Sequence, residues 1–210
     1  MTRRVIVKVC GITEERDAHE AVHLGVDALG FDFRPDSPRY VETGLVRSIV
    51  DRIPAFVTTV GVFEDMPLIR VMDTVRAAGL GLIQFHGDES PSLCQAAAPH
   101  RWIKAFRVGP DFHPEQLSLY PSTTYLLDAR REPGADAPPL DWRKVRTWSA
   151  YGRLVVAGDF ELGHVGMILE DARPYGLDVL SEVEVAPGKK DLDRLELLID
   201  AVRRAERRMN

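Results

Sequence analysis

Cysteine is scarce in this sequence, which holds only Cys10 and Cys94 among its 210 residues. Two cysteines cannot build the set of disulfides that stabilises small secreted domains. Long apolar runs are also missing, and none approaches the roughly 20 residues that cross a bilayer. The basic pair at residues 3–4 is not followed by the apolar core of a signal peptide. We therefore expect a cytoplasmic protein with no membrane partner.

An excess of positive charge is absent as well. The 27 Lys and Arg residues are outnumbered by 32 Asp and Glu residues, for a formal net charge of −5. Nucleic acid and anionic membranes mildly repel such a surface. A short basic run near the end of the chain alternates with apolar residues at helical spacing, so we interpret it as the solvated face of a helix. No nucleic-acid partner is expected.

What the sequence does contain is a regular alternation of strand and helix patterns. The strand patterns lie at residues 5–9, 28–33, 57–62, 81–85, 102–107, 124–128, 154–157 and 177–180. Apolar residues at three- and four-residue spacing predict helices at residues 14–24, 45–51, 67–78, 90–98, 142–148, 161–170 and 192–207. Residues 115–119 have room for only one helical turn.

Eight such units indicate a parallel sheet, which closes into a (β/α)8 TIM barrel or stays open and doubly wound. An open sheet of that kind usually carries a Gly-rich phosphate turn after the first strand. Here that turn reads Cys-Gly-Ile-Thr, from Cys10 to Thr13. The 45% hydrophobic content suffices for one sizeable core. We therefore predict a single (β/α)8 barrel domain over residues 1–210.

Active sites of such barrels lie at the C-terminal ends of the strands, so the polar residues found there are candidates. Lys8 and Cys10 end the first strand, His86 the fourth and Asp128 the sixth, while Asp178 lies in the eighth. A thiol, a carboxylate and an imidazole at one rim supply a base, an acid and an orienting group.

Each candidate also has a structural interpretation. A single strand-end cysteine is often an inert buried side chain. Asp128 could cap the following turn, and His86 could begin one. Lys8 and Asp178 lie on neighbouring strands of a closed barrel and could form a structural ion pair. Cys94, inside a helical pattern, is predicted to be a core residue.

Eight motifs occur in order along the chain: KVCGIT, GFDFRPDSPRY, TVGVF, IQFHGDE, IKAFRV, LLDA, LDW and APGKKD. In this order and spacing, over about residues 5–192, the sequence resembles the phosphoribosylanthranilate isomerases of tryptophan biosynthesis. The resemblance implies a (β/α)8 enzyme that acts on a small-molecule substrate. It also implies an Amadori rearrangement of an aminoaldose to an aminoketose, with no cofactor and no metal.

The resemblance also assigns roles to residues. The family's general base maps onto Cys10 and its general acid onto Asp128. The arginine of the Ser-Pro-Arg-Tyr motif, which helps to hold the anthranilate carboxylate, maps onto Arg39. We further expect Lys8, His86 and Asp178 to bind substrate; a cation such as Lys8 can lower the pKa of the Cys10 thiol. Family members occur as monomers and homodimers, and both states remain open here.

The sequence departs from the family at the phosphate site. Where the family reads Ala-Gly-Gly-Leu after strand seven, this chain has Gly158 followed by Asp159. After strand eight, Ser181 is kept but Glu182 replaces a glycine, and residues 131–138 lack the Gly-Gly-Thr-Gly signature. Barrels bind phosphate through backbone N–H groups of these loops. Repulsion between each new carboxylate and the phosphate would cost about 4 kcal/mol at a separation of about 4 Å and an effective dielectric of about 20.

Two interpretations of these replacements stay open. The carboxylates could swing outward and leave phosphate binding intact, or the pocket could have been converted for another substrate. Three functions are therefore compared: the family reaction, a diverged isomerase, lyase or cyclase with an unphosphorylated substrate, and a catalytically silent barrel. Retention of both Cys10 and Asp128 argues against the silent barrel.

Overall fold

The protein is described by a computed structural model that covers residues 4–109, 111–129, 140–158 and 160–209. Eight parallel strands pair in sequence order, and the eighth pairs with the first, which closes the sheet into a barrel. The predicted TIM barrel is confirmed, and the open doubly wound sheet is excluded.

Each predicted strand is present within one residue of its predicted bounds. The barrel strands are β1 (Ile6–Val9), β2 (Ala28–Asp32), β3 (Thr58–Phe63), β4 (Leu82–Phe85), β5 (Trp102–Arg107), β6 (Thr124–Asp128), β7 (Arg153–Ala157) and β8 (Gly176–Val179).

Helices connect these strands on the outside of the barrel. They are α1 (Glu15–Leu24), α2 (Thr43–Val50), α3 (Leu68–Ala78), α4 (Pro91–Ala96), α5 (Trp142–Thr147), α6 (Val165–Ala172) and α7 (Leu192–Met209). Short 3-10 helices lie at Pro114–Leu119, Trp148–Ala150, Leu162–His164 and Ser181–Val183. Within the described residues, the connection after β5 therefore has only a 3-10 helix, as the short pattern there predicted.

Among the helices whose bounds differ from the prediction by two or more residues, two differ for identifiable reasons. The helix predicted at 90–98 ends at Ala96 because Pro99 disfavours helical geometry in the residue before it. The helix predicted at 161–170 begins only at Val165, after a 3-10 turn that contains Gly163. Glycine is a poor helix former, and that start could not be located from apolar spacing alone.

Alternate residues of each strand face two different cores. One set, including Val7, Val9, Leu29 and Phe31, packs against the helices. The other set points into the barrel, where Ile103, Ala105, Leu126, Val155 and Ala157 form a separate apolar cluster under β5–β7. Buried polar side chains, including those of Lys8, Gln84 and Asp178, occupy other interior positions, and the site described below lies at the C-terminal rim.

A small hairpin that the strand patterns did not predict follows β8. Strand β9 (Glu184–Ala186) pairs antiparallel with β10 (Lys189–Lys190). Gly188, in the turn, has a φ of +82°, a conformation that favours glycine. The hairpin packs beside β1 and brings Glu184 and Lys190 to the rim of the barrel.

Among the helices of the described residues, none is long and apolar enough to cross a membrane.

Candidate active site

Cys10 directly follows β1 and is held by a sharp turn. Its N–H donates to the Val179 carbonyl oxygen of β8 at 2.8 Å. Gly11 has a φ of +70°, and a Cβ there would lie 2.6 Å from Leu180 and 2.7 Å from Arg39. Position 11 therefore requires glycine. The chain reverses just after Cys10, and the thiol packs against Leu180. The residue is 8% exposed.

A buried ion pair lies beneath the thiol. Lys8 Nζ donates to Asp178 Oδ2 at 2.8 Å, and both side chains are buried. The ion pair that was left open as a structural alternative is therefore present between β1 and β8. Gly30 of β2 makes room for the group, since a Cβ there would lie 2.8 Å from Cys10 Sγ and 3.0 Å from Lys8 Cε.

The charges around Cys10 act in opposite directions on its thiol. Burial raises the pKa of Cys10, the Lys8 ammonium lowers it, and the carboxylates of Asp178 and Asp32 raise it again. The net pKa of Cys10 lies above its usual value. Lys8 acts in the predicted direction, but in the ligand-free protein desolvation outweighs it. The pKa of Lys8 is itself raised, because the attraction of Asp178 and Cys10 exceeds the effect of burial.

Asp128 ends β6 on the same rim, and its carboxylate contacts a histidine that directly follows β4. His86 Nε2 lies 3.3 Å from Asp128 Oδ2, and His86 Nδ1 lies 2.8 Å from Gln84 Nε2. With the amide in this orientation Nδ1 accepts, so Nε2 carries the proton and donates to Asp128. Gln84 Oε1 is buried and has no hydrogen-bond partner among the described residues.

Arg39 reaches the rim from the segment after β2, where it meets the β9–β10 hairpin. Its Nε lies 3.0 Å from both carboxylate oxygens of Glu184, and its Nη2 lies 2.6 Å from Oε2. Lys190 Nζ donates to Glu184 Oε1 at 2.8 Å and to the Cys10 carbonyl oxygen at 2.6 Å. Although burial raises the pKa of Glu184, these hydrogen bonds hold it below its usual value.

The altered phosphate site shows an unexpected contact. Glu182 lies in the 3-10 helix after β8, and its Oε2 accepts from the Leu180 N–H at 2.7 Å. Its Oε1 accepts from the Phe160 N–H at 3.4 Å, in the loop after β7. The side chain of Glu182 is thus turned inward, contrary to the outward alternative, and bridges the two loops. Ser181 is exposed beside it.

Glycine is needed at one retained position of this site. Gly158 has a φ of +154°, and a Cβ there would lie 3.1 Å from Ala129 Cβ. The loop after β7 therefore approaches the end of β6 closely. Asp159 and the segment 131–138 lie outside the described residues, so the predictions for them stay predictions.

A cavity of about 590 Å³ opens on this rim over β4 and β5. His86, Lys104, Arg107 and Tyr120 contribute to its lining. Lys104 is committed to structure, because Nζ donates to the carbonyl oxygens of Gly87 and Ala105. His86, which lines the cavity, contacts the Asp128 carboxylate, and Asp128 itself is 6% exposed.

Three members of the site were not predicted from the sequence. Gly30, Glu184 and Lys190 were read as parts of strands or motifs, without a role beside Cys10. The LSEVE and APGKK segments signalled charge, but not that both fold back onto β1. Cys94, by contrast, is fully buried in α4, as predicted. No group of three or more potential metal ligands occurs in the described part of the chain.

Comparison with known proteins gives a consistent result. Residues 7–201 match the family model described as N-(5′-phosphoribosyl)anthranilate (PRA) isomerase. The N-(5′-phosphoribosyl)anthranilate isomerase of Geobacter sulfurreducens is 39% identical over 204 residues, which cover 96% of this chain and 98% of that protein.

Two solved structures are similar over most of their length. One is a phosphoribosyl anthranilate isomerase in complex with reduced 1-(o-carboxyphenylamino)-1-deoxyribulose 5-phosphate, with a TM-score of 0.86 and 33% identity. The other represents monomers generated from the dimeric enzyme of Thermotoga maritima, with a TM-score of 0.84 and 32% identity. Each comparison covers 95% of this chain and 98% of the other.

Proposed function

The chain belongs to the N-(5′-phosphoribosyl)anthranilate isomerase family, and from that premise we propose that it performs the family's reaction. N-(5′-phosphoribosyl)anthranilate, an aminoaldose, is rearranged to the corresponding aminoketose without a cofactor. The observation that carries the proposal is the position of Cys10 and Asp128. Both side chains lie at the C-terminal rim of the barrel, each beside a polar group that can influence its proton.

Asp128 is the general acid in this proposal. Its carboxylic acid protonates the furanose ring oxygen, the C1′–O bond breaks, and a protonated Schiff base forms. His86 contacts the Asp128 carboxylate and fixes its orientation. The Gln84 amide in turn holds the imidazole. Positioned acids and bases of this kind contribute about 10²- to 10⁴-fold to rate.

Cys10 is the general base that removes the C2′ proton. The electron pair of the C–H bond moves toward the iminium nitrogen, and the resulting enol then tautomerises to the ketone. Burial keeps the pKa of the Cys10 thiol raised although Lys8 lowers it, so the thiol needs a further cation to act as a base. Lys8 lies below the thiol, and the protonated Schiff base would arrive above it and favour the thiolate.

Arg39 is proposed to bind the anthranilate carboxylate. In the ligand-free protein Nε and Nη2 contact Glu184, and among the described residues Nη1 has no hydrogen-bond partner. A guanidinium held in this way is pre-oriented for a second carboxylate. Lys8, His86 and Asp178 are also proposed to bind substrate, while Lys8 and Asp178 act on Cys10 and His86 acts on Asp128.

Turnover of N-(5′-phosphoribosyl)anthranilate by the purified protein, followed by loss of substrate fluorescence, tests the proposal. We expect Cys10→Ala and Asp128→Asn to lose about 10²-fold or more of kcat. Cys94→Ala, which removes the thiol that lies in the core, should keep near wild-type kcat. Absence of turnover by the folded wild-type protein would contradict the proposed substrate. Unchanged turnover in Cys10→Ala would contradict the assigned base.

The inward carboxylate of Glu182 favours a second candidate, an acid–base enzyme of this fold that takes an unphosphorylated substrate. Turnover of the dephosphorylated substrate at a higher kcat/KM than the phosphorylated one would support it. A catalytically silent barrel would turn over neither. For both candidates we propose a small-molecule substrate, no nucleic acid partner, a cytoplasmic location, and either a monomer or a homodimer.

A further inference from the structure

We infer that Glu182 is a specificity-determining residue whose carboxylate occupies the anion subsite of this barrel and competes with the substrate's phosphate. The inference rests on the proposed function for its substrate class. The contact between the Glu182 carboxylate and the two backbone N–H groups does not depend on that function. Glu182 is one of the residues by which this chain differs from the family's sequence pattern.

The two N–H groups that Glu182 binds belong to two different loops. Leu180 directly follows β8, and Phe160 lies in the loop after β7, 22 residues from Glu182 along the chain. In (β/α)8 barrels these loops supply the backbone donors for phosphate. A carboxylate that takes one donor from each loop therefore stands where a phosphate's oxygens would stand.

The two carboxylate oxygens of Glu182 make different contacts, one within its own loop and one to a loop that is distant in sequence. Oε2 returns to the backbone two residues earlier at 2.7 Å, the length of a charge-assisted hydrogen bond. Oε1 reaches the Phe160 N–H of the other loop at 3.4 Å, which is long and weak, and that N–H also donates to the Gly158 carbonyl oxygen at 3.0 Å. The local bond anchors the side chain, and the weaker one points it across the subsite.

A phosphate can take these donors only after the carboxylate has left them. With both anions present, charges about 4 Å apart would repel each other even at the dielectric of a protein surface. Binding of phosphate to these loops and binding of the Glu182 carboxylate to them therefore exclude each other. The apparent phosphate affinity then equals the intrinsic affinity multiplied by the fraction of molecules in which Glu182 has moved away.

Removing the carboxylate should consequently strengthen phosphate binding. If Glu182 holds its donors in nine of ten molecules, Glu182→Ala lowers the dissociation constant of inorganic phosphate by about tenfold. The carboxylate's own charge adds to that difference. Glu182→Gln keeps an acceptor oxygen but removes the charge, so it should fall between the wild type and Glu182→Ala.

The test uses the full chain with inorganic phosphate as the probe. Calorimetry gives the dissociation constant for the wild type and for Glu182→Ala and Glu182→Gln. Backbone NMR reports whether the Leu180 and Phe160 amides shift on titration. Glu161→Gln is the matched control, because Glu161 lies next to Phe160 on the loop after β7 and its side chain is 83% exposed. This change removes one negative charge without freeing a backbone donor. Its dissociation constant for phosphate should stay within about twofold of the wild-type value.

Tighter phosphate binding in Glu182→Ala, with shifts of both amides, supports the inference. Equal or weaker binding than in the wild type, or equal gains in Glu161→Gln, overturns it. Thermal melting checks that each variant is folded, and Glu182→Gln carries the test if Glu182→Ala is not.

Turnover of N-(5′-phosphoribosyl)anthranilate separates this inference from the proposed function. Tighter phosphate binding by Glu182→Ala without turnover in any variant would overturn the proposed function alone. Turnover with an unchanged KM and unchanged phosphate binding would overturn the role of Glu182 alone. When both hold, Glu182→Ala lowers KM for the phosphorylated substrate and leaves kcat in place.

Discussion

Lys8 and Asp178 meet inside the barrel with their charged atoms 2.8 Å apart, and their side chains are 6% and 7% exposed. They lie opposite each other in the register between β1 and β8, where the first strand of the barrel pairs with the last. The pair thus stabilises the closure of the barrel and places a cation next to Cys10. Asp178 Oδ1 has no hydrogen-bond partner in the described part of the chain.

Breaking this ion pair should destabilise the protein strongly. Lys8→Met leaves a carboxylate buried and unpaired, which costs about 3–5 kcal/mol of unfolding free energy. Asp178→Asn should cost a similar amount, and Lys8→Met/Asp178→Asn should cost less than the sum. Urea unfolding of the four proteins measures the coupling. The exposed pair Arg47–Asp51 is the control, because its removal should cost at most about 1 kcal/mol.

The thiol of Cys10 should respond to Lys8. In a Cys94→Ala background, the pH dependence of iodoacetamide alkylation reports the pKa of Cys10. We expect that pKa to lie above its usual value and to rise further in Lys8→Met, because the nearby cation no longer favours the thiolate. Arg52→Gln, which removes an exposed cation, should leave it unchanged. A pKa that falls in Lys8→Met would contradict the arrangement. With Cys94 present, its thiol should stay unreactive at pH 8, because burial raises its pKa to about 11.

Gln84 offers a test in which stability and activity change in different directions. Its Oε1 is buried without a partner, while its Nε2 holds His86. Gln84→Leu removes a buried unsatisfied oxygen and should leave the unfolding free energy unchanged or raise it. The same change frees the imidazole, so kcat should fall about tenfold or more with little change in KM. His86→Asn should lower kcat at least as far. If Gln84→Leu kept full kcat, the amide would have no positioning role.

The cluster of Arg39, Glu184 and Lys190 should make stability sensitive to acid. The folded pKa of Glu184 lies below its usual value of 4.5, so its stabilising contribution is present above that value. The contribution is lost as the pH falls through the folded pKa. Unfolding free energies from pH 7 to pH 3 should therefore converge for the wild type and Glu184→Gln as the pH falls. For the control Glu196→Gln, at an exposed position of α7, the difference in unfolding free energy from the wild type should not change with pH.

Much of the fold could be predicted from the sequence because its signals are local. β-branched runs such as that of β1 alternate with amphipathic helical patterns, and this alternation marks the strands. The β9–β10 hairpin was missed, since it has five strand residues and is held by contacts with Thr13 and Cys10, which lie far away in sequence.

The site was predicted in part for a related reason. Cys10, His86 and Asp128 end strands, and parallel strands bring their ends to one rim. The bond between Arg39 and Glu184 spans 145 residues and depends on how two loops fold. The direction of the Glu182 side chain likewise follows from backbone donors that no residue pattern reveals.

The pairing of β1 with β8 also sets an order of events during synthesis of the chain. Lys8 and Asp178 are 170 residues apart, so the ribosome must complete almost the whole barrel before they can meet. Contacts of such long sequence separation form late and slow the folding of a chain. Until then the nascent protein presents two unpaired strand edges and an accessible Cys10 thiol, the state in which such chains are prone to aggregation. The Cys10 thiol is thus among the first side chains made and among the last to be enclosed.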